Sequence, residues 1–152
     1  MARLVGAVGL ASAVGIPGIA FYILAYRLGF NLEVQPATLD SNWWAVPVLV
    51  LAAFKNGFLE EVLVVGFLLT RLRQLRVNPW VALGMSALLR GSYHLYQGPG
   101  QAVGNMLMGL VFGYAWLRWR RIWPLIIAHT LMDVVSFVGY SAFTDWFTSL
   151  LG

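Results

Sequence analysis

The sequence predicts an all-α, polytopic transmembrane helix bundle of about five spans with a cytoplasmic N-terminus. Composition is the first reason. Hydrophobic residues make up 60% of the 152 and charged residues 11%, with a mean hydropathy of +0.75, against roughly 45–50% and about 25% in a typical soluble chain. Length is the second: charge-poor stretches of about 20 residues, enough to cross the hydrocarbon core as a helix, alternate with short arginine-bearing segments. The third is the residue set, since 16 Gly, 7 Trp and 6 Tyr suit close helix contacts and aromatic interface belts. One membrane domain over 1–152 is expected, with a first helix and outer loop over 1–42 and the core helices over 43–143. The lack of Cys excludes a disulfide scaffold, a thiolate metal site and a cysteine nucleophile. The net charge of +4 does not indicate a nucleic-acid partner, because the basic residues cluster between apolar spans as cytoplasmic loops do.

Each element follows from local signals. Leu4 to Tyr26 is uncharged and bracketed by Arg3 and Arg27, a first span bent around Gly15, Pro17 and Gly18. Ala11-Ser12-Ala13 resembles the cleavage site of a signal peptide, yet the apolar run continues well past it. Asn31 to Asn42, with Glu33, Pro36 and Asp40, reads as a loop. Trp43 to Thr70 is a long second span with a break at Asn56-Gly57. The third runs from Pro79 to about Tyr96, its start marked by Asn78-Pro79. Gln97-Gly98-Pro99-Gly100 is a tight turn. Span four, about Ala102 to Leu117, presents Gly109 and Gly113 as a close-packing face. Span five opens at Pro124, where a missing N–H costs little, and runs to about Phe143.

The loops set the orientation. Arg3, the arginines at 71, 73 and 76, and those at 118, 120 and 121 fall on one side; Arg27, Glu33, Asp40, the uncharged turn and Asp145 fall on the other. The positive-inside rule makes the arginine side cytoplasmic. The tryptophans at 43, 44, 80, 116, 119, 123 and 146 read as interface anchors.

Lys55, Glu60, Glu61, Arg90 and Asp133 nevertheless fall inside these spans, with His94 and His129. Insertion costs about 2.5–3.5 kcal/mol for each such Arg, Lys or Asp at a helix centre. All five are therefore expected to face the bundle interior and satisfy one another. His129 and Asp133 share a helix face at four residues' separation, as do Arg90 and His94. Glu60 and Glu61 lie about 100° apart on their helix, so they are expected to point to different places, one at the cavity and one at a neighbour. At about 1.5 Å per residue, Glu60 and Asp133 fall at similar depth, with His94 higher and His129 lower by an offset that tilt must absorb.

A carboxylate with two imidazoles and no cysteine points to water activation. A carboxylate in a low-dielectric cavity can act as base and then acid, and a second polar pair can stabilise the oxyanion of an attacked carbonyl. No serine sits in a nucleophile context, and there is no HExxH motif and no P-loop.

Glu60-Glu61 followed by Gly66, His94 at the end of the next helix, and His129-x-x-x-Asp133 on the last resemble three motifs of the CPBP family. These are the CAAX prenyl protease and bacteriocin-processing (Abi) intramembrane proteases, with the pattern EExxxR(G), FxxxH, then HxxxN or HxxxD. The glycines at 109 and 113 and the basic loop leading into Ile127-Ala128-His129 fit as well, so the resemblance extends from Lys55 to Tyr140. It implies an endopeptidase of the bacterial cell membrane, cutting near the C-terminus of a membrane-associated or prenylated protein or peptide. Carried over, Glu60 would activate the water and His94 assist it. Glu61 would support the site, and His129 with Asp133 would bind the water or the oxyanion. The resemblance allows either a glutamate protease or a metalloendopeptidase. A zinc ion, if present, would take Glu60, His94 and His129, residue types that bind zinc, although no zincin spacing occurs.

Two positions depart from the pattern: Val65 stands where the first motif has Arg, and Arg90 where the second has Phe. We expect the cation to have moved between helices, with Arg90 pairing Glu61 or Glu60. Asp133, if ionised, cannot donate to an oxyanion and would orient His129. Lys55 would snorkel or bind the substrate's carboxylate. The alternative is a non-catalytic binding, immunity or scaffold protein that retains the cluster structurally. A proton-coupled transporter would show repeated halves, and none are seen.

Overall fold

The computed structural model describes residues 2–32 and 43–142. The expectations for Glu33, Pro36, Asp40, Phe143, Asp145 and Trp146 lie outside the described residues. Within them the chain is all-helical and forms five rods. The first is α1 (Ala2–Arg27) and the second is a continuous rod made of α2 (Ala45–Glu60), a π-helical segment (Glu61–Phe67) and α3 (Leu68–Gln74). After these come α4 (Pro79–Tyr93), a 3₁₀ turn (Leu95–Gln97), α5 (Pro99–Trp119) and α6 (Trp123–Ala142). The rods pack chiefly as α4 on α5 and α6 on α2 and α1, and the π segment touches α4, α5 and α6.

Local chemistry sets the ends. Asn78 accepts a hydrogen bond from the Trp80 N–H at 2.9 Å, with Pro79 at the first helical position of α4. α1 closes with paired bonds from Gly29 N to Tyr26 O and from Phe30 N to Ala25 O, Gly29 taking the left-handed conformation. α3 closes in the same way through Arg76 N to Arg73 O and Val77 N to Leu72 O, but with Arg76 at φ 60°. α4 ends at Tyr93, earlier than expected. The turn therefore falls at 94–98 and not 97–100, and Pro99 starts α5 from Gly98 at φ 108°.

The second rod is not broken at Asn56-Gly57. Gly57 is there for close approach, since a Cβ would lie 2.8 Å from the Thr130 hydroxyl and 3.0 Å from its backbone nitrogen on α6. The irregularity lies one turn later, where side-chain hydroxyls engage backbone carbonyls of the π segment: Ser86 donates to Val64 O at 2.7 Å and Thr70 to Gly66 O. Along this rod Ala45, Leu49, Ala53, Gly57, Glu61, Val65 and Leu69 are buried, every fourth residue. Lys55, two positions out of phase with that stripe, is exposed and does not face the interior as the charge argument required.

Val65, Leu69, Ala82, Phe112, Leu125 and Ala128 form the centre of the apolar core. Trp116 belongs to it at 9% exposure, so it is not an interface anchor. The predicted small-residue face is real: a Cβ at Gly109 would meet Ala87 Cα at 3.1 Å, and one at Gly113 would meet Leu83 Cδ1. Among the described residues one helix, Leu4–Arg27, is long and apolar enough to cross a membrane, and a shorter apolar helix covers Trp123–Gly139. The outward faces of the other rods are also apolar, through Leu51, Phe58 and Leu63, then Val81 and Leu88, Leu107 and Val111, and Leu131 and Val135. Leu32 N bonds Gln97 O and Gly100 N bonds Phe30 O, so the segment after α1 shares an end with the turn after α4.

Candidate active site

Three rods bring the polar residues together. The second rod supplies Glu60 and Glu61 at the junction of α2 with the π segment, α4 supplies Arg90 and Tyr93 with His94 at its C-terminal cap, and α6 supplies His129 and Asp133. Arg90 and Glu61 have 0% side-chain exposure and His129 6%, whereas Glu60 and Asp133 keep 20% and 22%.

Arg90 sits at the junction. Its Nη2 donates to Glu61 Oε1 and lies 3.4 Å from Glu60 Oε2. Both carboxylates thus reach one guanidinium, contrary to the expectation that they point to separate places. The long Arg side chain, entering from the facing helix, spans the 100° between them. Val65, the position of the missing motif arginine, is fully buried in the apolar core. The Arg90 Nε and Nη1 and the Glu61 Oε2 are buried without a protein partner among the described residues.

Two half-sites extend from this centre. In the outer one Tyr93 donates its hydroxyl to Glu60 Oε2 at 2.8 Å, its ring lies 4.7 Å from that of His94, and His94 Nε2 is 3.9 Å from Glu60 Oε1. His94 Nδ1 is 2.9 Å from the Arg90 carbonyl, which can only accept. Nδ1 therefore carries the proton, and Nε2, facing Glu60, offers a lone pair in the neutral ring. In the inner half-site His129 Nδ1 donates to Glu61 Oε1 at 2.9 Å, and its Nε2 lies 3.7 Å from Asp133 Oδ1. Asn56 reaches the Asp133 carboxylate, and the Phe112 ring meets His129 edge-on at 6.1 Å. The depth offset between the histidines needs no tilt, because each meets a different glutamate. Tyr93 and Asn56 were not singled out from the sequence as site residues. The place of Tyr93 one residue before His94 is the available signal; Asn56, one turn before Glu60, reads in the sequence only as a helix break.

Residues 42–135 match the family of type II CAAX prenyl endopeptidases, Rce1-like. The chain belongs to that family. No curated protein and no solved structure matches it. The matched stretch holds every one of these site residues, and it bears out the resemblance drawn from the three motifs. As an Rce1-like protein the chain falls among membrane-embedded proteases of the CAAX type. Of the three residues the sequence offered as zinc ligands, Glu60 and His94 face each other, while His129 is bonded to Glu61. Among the described residues no group of three or more His, Cys, Asp or Glu is placed to hold a metal ion. Glu60 and Glu61 converge on a guanidinium, a cation that would repel a metal, and His129 Nδ1 is committed to Glu61.

Proposed function

We propose that this Rce1-like protein crosses the membrane five times, N-terminus in the cytoplasm, as an intramembrane endopeptidase using a glutamate-activated water. It cuts near the C-terminus of a membrane-associated or prenylated polypeptide. The membrane reading is supported by the inversion of polarity: buried Glu61, Arg90 and His129 inside, apolar side chains outside on every rod. Water would expose such a surface at large cost, whereas lipid accepts it.

One observation carries the mechanism. Glu60 Oε1 and His94 Nε2 are both acceptors and stand 3.9 Å apart. A water donating one hydrogen to each, with hydrogen bonds of about 2.8 Å at its own bond angle, spans roughly 4–4.5 Å. Held so, it presents its lone pairs outward, toward a scissile carbonyl. Glu60 takes the proton as the water attacks and later returns it to the leaving amine. Tyr93 fixes the other oxygen of Glu60, and Arg90 offsets part of the charge of the glutamate pair. Glu61 orients His129, whose Nε2 and the partly exposed Asp133 face the region where the oxyanion develops; a shared proton there supplies the donor.

The test is a survey of protein termini in membranes of cells expressing wild type or Glu60→Gln at equal level. New termini that depend on Glu60 are expected, and they name the substrate. Identical profiles, with Glu60→Gln still rescuing a deletion phenotype, would refute proteolysis in favour of a non-catalytic membrane protein.

A further inference from the structure

We infer that the arginine-rich end of the bundle holds an anionic phospholipid in a pocket between the start of α4 and the end of α5, its phosphate on Arg118 and Arg120. The pocket, about 210 Å³, is lined by Pro79, Trp80, Tyr114, Leu117, Arg118 and Arg120. One wall is flat and apolar: the Trp80 and Tyr114 rings stack with centroids 6.1 Å apart and planes at 16°. The rim is cationic. The inference rests on the membrane reading above, because the apolar wall continues into the outward face formed by Val81 and Val111.

Charge complementarity identifies the occupant. The acidic residues among those described are Glu60, Glu61 and Asp133, all in the polar site. The exposed arginines at 71, 73, 76, 118, 120 and 121 therefore have no carboxylate partner among the described residues. Arg120 is positioned, not loose: its guanidinium lies 4.8 Å from the centroid of the Trp116 ring. Partial desolvation and the nearby Arg73 charge both disfavour its charged form, which an anion would relieve. Arg120 also adopts φ 55°, where glycine is the usual helix-ending residue. A chain that keeps Arg at that position retains a cation at the cost of backbone ease. A free phosphate would use the rim but not the aromatic wall, whereas a phospholipid uses both.

The test uses full-length protein extracted from membranes and purified in neutral detergent. Phosphatidylglycerol, phosphatidylcholine and inorganic phosphate are the probes, with bound lipid counted by native mass spectrometry. We expect one saturable phosphatidylglycerol, no comparable phosphatidylcholine, and no displacement by millimolar phosphate. Juxtamembrane arginines contribute about fivefold each to anionic-lipid affinity, so Arg118→Gln with Arg120→Gly should weaken binding at least tenfold. Arg120→Gly suits the left-handed backbone, so folding is retained. Arg71→Gln, whose guanidinium bonds Gln74 and lies over Phe67, should weaken binding by at most about fivefold, the diffuse effect of a single removed charge. Equal loss in Arg71→Gln, equal binding of both lipids, or displacement by phosphate would overturn the assignment while leaving the protease reading intact. Recovery of the protein in the soluble fraction would overturn the membrane reading and the lipid site together.

Discussion

Arg90→Met removes the charge that joins the two half-sites while keeping an apolar stem in its place. The guanidinium is fully buried, bonded to Glu61 Oε1 and 3.4 Å from Glu60. Its loss strands Glu61 at 0% exposure with His129 as its remaining bonded partner and Glu60 as its sequence neighbour. Breaking a buried ion pair from one side costs about 3–5 kcal/mol, a large part of a total stability of roughly 5–15 kcal/mol. Glu61→Gln is milder, about 1–3 kcal/mol, because Arg90 keeps Glu60. Both substitutions remove the same pair, so the double variant should fall short of the sum by about 2–3 kcal/mol, the upper range for contacting residues. The measurement is reversible unfolding of the four proteins in mixed detergent. Additivity within about 0.5 kcal/mol, or a neutral Arg90→Met, would refute Arg90 as the cation of the site. In cleavage assays Arg90→Ala should be disabled as severely as Glu60→Ala, and a fully active Arg90→Ala would dismiss the relocated motif arginine.

Other substitutions test the supports of the site. A Cβ at Gly91 would lie 2.8 Å from the Ala102 carbonyl and 3.1 Å from Met106 Cβ, so Gly91→Ala should cost about 1–3 kcal/mol by forcing α4 from α5, read as a lower melting temperature. Gly84→Ala meets nothing within 4 Å and should be neutral or raise stability by up to about 1 kcal/mol. Arg76→Gly relieves a left-handed helix end at φ 60° and should stabilise by about 1 kcal/mol in the same melts. Tyr93→Phe deletes the donor to Glu60. It should lower kcat/KM about tenfold or more, the worth of a bond to a charged group, with little change in melting temperature.

The rods were legible because long helices with apolar outer faces announce themselves by uninterrupted apolarity, and the glycines at 109 and 113 because helix contacts demand small residues. The polar cluster was legible for the opposite reason: charges in apolar runs are costly enough to need a use. Other features carried weaker signals. The carbonyls of the π segment at 61–67 accept hydroxyl bonds from Ser86 and Thr70, one of them on another helix, and pattern along one rod does not show such a partner. Gly57 looked like a helix breaker, but its meaning lies on α6, in Thr130. The outward place of Lys55 was readable in principle from the every-fourth-residue stripe, but composition alone grouped it with the other charges.

The paired glutamates show how one motif yields two different side chains. They are adjacent in sequence and share a cation, yet their surroundings divide them. Glu61 lies entirely inside, with Arg90 and His129 both donating to one oxygen, so its position is fixed from two other helices. Glu60 remains one-fifth exposed, held by Tyr93 on one oxygen with the other turned to His94. A reacting base must meet water and exchange a proton, which the exposed carboxylate can do and the sealed one cannot. The two neutralising substitutions should therefore part company. Glu60→Gln keeps an oxygen for Tyr93, so it should retain near-normal stability while losing at least the 10²–10⁴-fold typical of general-base removal. Glu61→Gln, by contrast, should lower stability and displace His129, with cleavage lost as a consequence of geometry. If Glu61→Gln left the fold unchanged but abolished cleavage, and Glu60→Gln did the reverse, the assignment of base and support would have to be exchanged.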